Sequence, residues 1–374
     1  MKVVIIGGIH HNTLGVLRSL GEAGIDKKSI HIILLTKEKN KKNIVSSSKY
    51  IDLNHIFIIS TYKEIYSCLS QIALDKAKRT IICCSDGAAE EVISNQEKLE
   101  LFYNTPKTDI DINILMQKDK QNEIAEKSGL ACPKSTVYFT KDSFSWNIFP
   151  CIIKPLKSIY GAGKSDIVVV REKAEMENIR PLIVSEKIQI QQYIEKEIEY
   201  QLIGCSLERG KQIIIPGFTE LIRQPQNTNT GYLRYRPIAE LNNDMQSVYK
   251  FIRNIGYSGL FSIEFIRGVD GVDYFLEINM RNDGNGYCVN TAGVNLPYIW
   301  CYYQENKKLP PYQKVIKKSI YFIPDFNDLK LGIKKVGLLK WIKEFKSAES
   351  HSIYNKYDFK PFAFEIFRLI KKFL

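Results

Sequence analysis

No apolar run in the 374-residue sequence approaches the ~18 residues that would suggest a membrane-spanning helix. The opening Met1-Lys2-Val3-Val4-Ile5-Ile6-Gly7-Gly8 reads as a strand entering a glycine turn rather than a cleavable signal, so a cytoplasmic protein is expected. The eight cysteines include no C-x-x-C pair, and most sit in apolar contexts such as Ile81-Ile82-Cys83-Cys84 and Pro150-Cys151-Ile152-Ile153. They read as reduced core thiols rather than zinc ligands. A dinucleotide fingerprint is missing as well. With Gly7 as its first glycine, G-x-G-x-x-G needs glycine where Ile9 and Asn12 stand, which argues against a nicotinamide enzyme. Surplus positive charge is nearly absent from the body: the net charge is +12, but from Lys307 onward sixteen lysines and arginines face six acids. Without basic and aromatic residues interleaved elsewhere, no nucleic-acid groove is expected.

What remains is the composition of a soluble globular protein, 44% hydrophobic and 25% charged, long enough for two or three domains. From Lys2 to about Lys107, short apolar strands (Val3-Val4-Ile5-Ile6, Ile30-His31-Ile32-Ile33-Leu34-Leu35, Thr80-Ile81-Ile82-Cys83-Cys84) alternate with helical stretches, which predicts a parallel βαβ sheet. Open α/β sheets bind ligands at the carboxyl ends of their strands. His10, His11 and Asp86 fall there, either as substrate contacts or as plain turn and capping residues.

The most informative stretch is Gly256-Tyr257-Ser258-Gly259-Leu260-Phe261-Ser262-Ile263-Glu264-Phe265 with Tyr274-Phe275-Leu276-Glu277-Ile278-Asn279-Met280-Arg281. Two β-rich runs are joined through Gly268-Val269-Asp270-Gly271, and Asp-Gly is a strong hairpin signal. Alternate strand residues share a face, so Glu277, Asn279 and Arg281 point one way and the partner strand can carry Glu264 beside them. Two carboxylates and an amide oxygen suit Mg²⁺, which takes hard oxygen ligands and leaves room for phosphate oxygens.

Glu264 and, thirteen residues on, Glu277-Ile278-Asn279 resemble the metal-binding end of the ATP-grasp ligases. Three further blocks follow that family in order. A helix from about Ile114 ends at Gly129-Leu130-Ala131-Cys132-Pro133, and the spacing of eleven makes Lys118 the phosphate-facing lysine of the family, with Lys120 as the alternative if the helix is offset. Cys151-Ile152-Ile153-Lys154-Pro155 carries a second lysine, Lys154, before a glycine-containing loop in which Ser158 and Gly161 would meet the triphosphate. Gly163-Lys164-Ser165 imitates a Walker A ending, but Ser158 stands where its first glycine belongs, and the following Asp166-Ile167-Val168-Val169-Val170 reads as strand, not helix. Around Gln192, Tyr193 and Ile194 the chain resembles the adenine-pairing hinge, with Glu199 on the ribose. Lys196 in place of the usual glycine and one apparent insertion leave Glu197 as the alternative.

The resemblance spans about residues 110 to 305 and implies an α/β ATP-grasp fold: an N-terminal parallel βαβ domain (1–108), then two α+β subdomains clasping ATP (109–306, with the lid at about 109–187 and the metal-binding part at about 188–306), then a basic helical C-terminal extension (307–374). Arg281, two residues after the triplet, is similar to the carboxylate-amine ligase branch that includes D-aspartate ligases and enzymes of cell-surface polysaccharide assembly. In D-alanine:D-alanine ligases an arginine stands instead two residues before the first metal acid, here Ser262. The implied reaction is ATP-dependent amide formation through an acyl phosphate, with release of ADP and phosphate. Mg²⁺, one or two ions replaceable by Mn²⁺, would sit on Glu264, Glu277 and Asn279, and Lys118, Lys154, Arg223 and Arg281 would supply cations. Arg234 and Arg236 share a strand face and either bind substrate or form a solvated edge. The expected partners are a small carboxylate and an amine (amino acid, sugar acid or amino sugar). A homodimer and peripheral contact of the basic C-terminus with a membrane stay open. A kinase or carboxylase on the same nucleotide site, or a non-catalytic nucleotide sensor, is the competing reading.

Overall fold

The computed structural model describes residues 1–38, 42–73, 77–155, 168–179, 183, 186–225, 230–311, 316 and 318–373. Among these, three sheets form. The first is fully parallel, in the order β3-β2-β1-β4-β5, from β1 (Val3–Gly8), β2 (Ile30–Leu35), β3 (Ile56–Ile59), β4 (Arg79–Cys83) and β5 (Tyr103–Asn104). Its central strands are apolar on both faces because both are covered. Val4, Ile6 and Ile81 pack with Leu69 and Val92, while Val3, Ile5 and Ile82 pack with Leu14, Leu17 and Trp300.

The second sheet is four-stranded and antiparallel, β6-β9-β7-β8, from β6 (Ser135–Phe139), β7 (Cys151–Pro155), β8 (Val168–Val170) and β9 (Lys187–Gln192). It has a small core of its own, including Trp146, Cys151, Ile153 and Ile190. The third and largest runs β15-β14-β10-β12-β13-β16-β17 with β11 beside β10. Its strands are β10 (Lys196–Leu207), β11 (Gln212–Ile214), β12 (Gly217–Arg223), β13 (Tyr232–Pro237), β14 (Gly259–Gly268), β15 (Asp273–Asn279), β16 (Ile320–Ile323) and β17 (Ser350–His351). The two cores of the parallel sheet continue into this one: Phe261, Ile263, Phe265 and Phe275 join the first, Cys205, Leu233 and Tyr235 the second.

The C-terminal segment is helical at Phe326–Val336, Leu338–Ser347 and Lys360–Phe373, yet it is more than a helical appendage, since β16 pairs with β13 and β17 lies parallel to β16. Buried carboxylates pin it down. Asp358 accepts Arg18 Nε at 3.0 Å, Ser48 Oγ at 2.8 Å and the Lys49 amide at 2.9 Å, with Arg18 and Asp358 both essentially inaccessible. Asp325 accepts Ser352 Oγ at 2.8 Å and the Ile353 amide at 2.5 Å. Phe362 is buried and stacked on Phe326, so the first turns of the last helix pack on the body, whereas Phe367 and Ile370 stay exposed. All eight cysteines are free thiols. No helix among the described residues is long and apolar enough to cross a membrane.

Candidate active site

The β14–β15 register sets Glu264 opposite Glu277 and Ser262 opposite Asn279, and β10 sets Gln201 opposite Glu264 from the other side. These residues share one face, while Ile263, Phe265, Phe275 and Ile278 fill the core behind it. A bulge between Glu264 and Phe265 keeps both patterns in phase across the pair. Glu264 Oε1 accepts Gln201 Nε2 at 3.0 Å and Asn279 Nδ2 at 3.3 Å, and Asn285 Nδ2 holds Gln201 Oε1 at 2.9 Å.

The helix Lys118–Ser128 brings a cation to this face. Lys118 Nζ lies 2.8 Å from Glu277 Oε2. One turn on, Gln121 donates to Ile278 O at 3.2 Å and to Leu115 O at 2.7 Å and accepts the Ile278 amide at 2.9 Å. Residues three apart lie on one helix face, so Gln121 fixes the strand between Glu277 and Asn279 while Lys118 meets the carboxylate. Lys120 turns outward to Glu123 at 2.7 Å. On β7 of the four-stranded sheet, Lys154 Nζ donates to Gln191 Oε1 at 2.8 Å.

The charges of this cluster are set against one another. Burial, reinforced by Glu277 and Asp283, pushes the Glu264 carboxyl up to about 8, against the pull of Arg281. Burial would push Glu277 up too, but Lys118, Lys154 and Arg281 outweigh it and hold it at about 2. Lys154 is brought down to about 7 by burial and then by Lys118, with Glu277 opposing. Glu277 raises Lys118 despite burial. Two buried acids facing each other, one of them held protonated near neutrality for want of a positive charge, fit a divalent cation. The donor set is two carboxylates and one amide, and among the described residues no cluster of three His, Cys, Asp or Glu offers a richer one. That small set matches the one or two carboxylates with which proteins hold Mg²⁺.

At the other end, the segment after β15 is stitched to the carboxyl edge of the parallel sheet. Asn282 N donates to Cys83 O at 2.9 Å, and Asn12 Nδ2 bridges Asn282 O (2.8 Å) and Cys84 O (3.0 Å). This draws Arg281 against Asp86, the first residue of the helix Asp86–Ser94, at 3.1 Å, and against Asp283 at 3.0 Å. Asp283 also accepts Ser262 Oγ at 2.9 Å. His10 caps the helix His11–Glu22, with its ring 3.8 Å from that of His11. Burial and then Arg281 lower His10, and burial and then His10 lower His11 well below the usual value, so both are neutral imidazoles at neutral pH. The structure therefore brings together His10, His11, Asp86 and Arg281 at one end and Lys118, Lys154, Glu264, Glu277 and Asn279 at the other.

Other expectations are corrected. Arg223 is not a free site cation: its guanidinium binds Asp328 through Nε (2.9 Å) and Nη2 (2.5 Å) and Glu344 at 2.9 Å, stacks 4.8 Å over Tyr232, and anchors the C-terminal helices. Arg234 and Arg236 lie on the far face, because Gln201 pairs with Thr219 and Thr219 with Tyr235, so the flanking arginines turn away, and Arg236 pairs with Glu220 and Glu240. At the hinge the amides of Gln192 and Tyr193 are already used, by Lys134 O at 2.8 Å and Pro150 O at 3.1 Å, which removes these two as adenine donors. Glu199 shares the Gln201 face and pairs with Lys196 at 2.8 Å, whereas Glu197 acts on Arg267. Ser158 and Gly161 lie outside the described residues. Sequence reasoning missed Gln121, Gln191, Gln201, Asp283 and Asn285. Only strand register reveals Gln201, while Asp283 and Asn285 stood in plain view two and four residues after Arg281.

The fold is the ATP-grasp fold, shared with solved structures at low sequence identity. A crystal structure of an N5-carboxyaminoimidazole ribonucleotide synthetase with ADP is similar with a TM-score of 0.66 and 15% identity, over 91% of this chain and 85% of that one. N5-carboxyaminoimidazole synthetase from Staphylococcus aureus with ADP gives 0.65 and 16%, over 89% and 86%. L-amino acid ligase from Bacillus licheniformis gives 0.62 and 13%, over 86% and 79%. No protein-family model matches the chain, and no curated protein matches it by sequence.

Proposed function

We propose that the protein is an ATP-dependent carboxylate-amine ligase that forms an amide through an acyl phosphate and releases ADP and phosphate. The observation that carries this is the single face bearing Lys118, Glu277, Glu264 and Asn279, which runs into Arg281 at the edge of the parallel sheet. Glu264, Glu277 and Asn279 would hold Mg²⁺, which neutralises charge on the phosphate oxygens. Lys118 exchanges its pairing with Glu277 for the phosphates, and Lys154 regains its proton as they approach. Arg281, released from Asp86 or sharing it, takes the substrate carboxylate in a charge-assisted pair. Gln192 C=O and the Ile194 amide are the remaining hinge groups for adenine, and the face it shares with Gln201 favours Glu199 over Glu197 for the ribose. Neutral His10 and His11 leave this end of the site without an imidazolium charge that would repel an incoming ammonium. Amino acids, sugar acids and amino sugars are the substrate pool to search, in keeping with the resemblance to enzymes of polysaccharide assembly.

A second reading, carboxylation of an amine with bicarbonate as the acid, has the carboxyaminoimidazole synthetases among the similar structures in its favour. Incubation with ATP, Mg²⁺ and pooled acids and amines separates them. ADP with a hydroxamate when hydroxylamine replaces the amine supports the ligase, and ADP formation that depends on bicarbonate supports the carboxylase. AMP with pyrophosphate rejects both.

A further inference from the structure

The helices Phe326–Val336 and Leu338–Ser347 form a hairpin that turns at Gly337, where an added Cβ would meet nothing within 4 Å. Its apex is apolar and open to solvent: Ile333 is 39%, Leu338 51% and Leu339 84% exposed. Around it Lys330, Lys334, Lys335, Lys340, Lys343 and Lys346 are all exposed. The acids of the hairpin point the other way. Asp328 is fully buried and Glu344 partly so, both bound to Arg223, and no other acid occurs between Lys330 and Lys346. Trp341 is likewise held inside by Asp328 at 3.0 Å. The hairpin thus sorts its side chains, with acids and aromatic rings inward and leucines and lysines outward.

We propose that this tip docks the protein on an anionic lipid surface. Leu338 and Leu339 would enter the headgroup boundary, and the lysines, with flexible apolar stems, would reach the phosphates around them. The apex has neither the arginines nor the exposed aromatic rings with which proteins stack nucleic-acid bases, and it has no acids to repel a negative surface. The surface is independent of the ligase reading, because it lies on the C-terminal hairpin and its test reads binding, not turnover.

The test is sedimentation of the full chain with phosphatidylcholine vesicles, with and without phosphatidylglycerol. Binding is expected to require the anionic lipid, to weaken as salt is raised, and to fall roughly fivefold for each of Lys334→Gln and Lys335→Gln. The double variant Leu338→Glu/Leu339→Glu, at two exposed positions beside Gly337, should lose binding altogether while keeping its circular dichroism and Tm, and Leu339→Glu alone, at the more exposed of the two, should weaken binding in the same direction. Failure to sediment with anionic vesicles at low salt overturns the proposal, as does undiminished binding by the double-leucine variant. Two further outcomes also overturn it. One is equal affinity for a single-stranded oligonucleotide that the leucine variant retains, which marks a general polyanion surface. The other is binding lost only when residues after Asp358 are deleted, which moves the contact to the last helix.

Discussion

At Lys154 the chain keeps a lysine where burial and a neighbouring cation both disfavour its charge, bringing it down to about 7 from an ordinary 10.5. Between those two values the unfolded chain binds the proton that the folded protein has given up, so this residue makes stability rise with pH across that window. Lys154→Met should therefore raise Tm in ligand-free protein at pH 7, with the gain shrinking toward pH 10, while on the proposed ligase reading turnover falls by roughly 10²-fold or more for want of the phosphate cation. Calorimetry at pH 8 should register proton uptake on ATP binding in the wild type and none from this site in the variant. On the proposed Mg²⁺ site, Glu277→Gln and Asn279→Ala should each remove turnover by a similar factor with the fold intact, because each would take away a proposed ligand and no core cavity opens; near wild-type turnover in folded Glu277→Gln would sink the site assignment. Arg223→Met should do the reverse. It leaves Asp328 and Glu344 buried without their partner, a loss of about 3–5 kcal/mol, and activity per folded molecule should be unchanged.

Among the elements, the helix Lys118–Ser128 and strand β15 are coupled through the Gln121 side chain. Gln121→Leu should raise the Mg²⁺ and ATP concentrations needed for half-maximal rate more than it lowers the limiting rate, and Gln121→Glu should restore little, since a carboxylate cannot donate to Ile278 O. In the C-terminal hairpin, a Cβ at Gly332 would clash with the Trp341 ring at Cδ1, so Gly332→Ala should cost about 1–3 kcal/mol in denaturant unfolding by forcing the two helices apart. The β14–β15 hairpin was legible beforehand because its alternation and Asp-Gly turn are local, whereas Lys118 was reached only through the spacing of the family it resembles. What escaped is long-range. Gln201 meets Glu264 across 63 positions, and Arg223 finds Asp328 across 105, so a lone arginine on a strand looked free. The four-residue β16 is too short for its pattern to announce a strand, and only its pairing with β13 makes it one.

Taken as one molecule, the protein closes on itself late in the sequence. Asp358 neutralises Arg18 inside the packing of the first helix, 340 positions away, and β16 extends the sheet that carries the site. A fragment ending at Asn306 should accordingly fail to give a native near-ultraviolet spectrum or cooperative thermal unfolding, whereas removal of residues after Phe367 should leave both. The same pair bears on how the chain is made. During synthesis the first helix emerges long before its counter-ion, and a lone guanidinium resists burial. While the ribosome is still at work, the helix His11–Glu22 should hold off from final docking, and the edge that receives Arg281 should stay loose. The two ends of the proposed site would then come together only after Asp358 has emerged, and chains halted before it would lack the docked edge that receives Arg281.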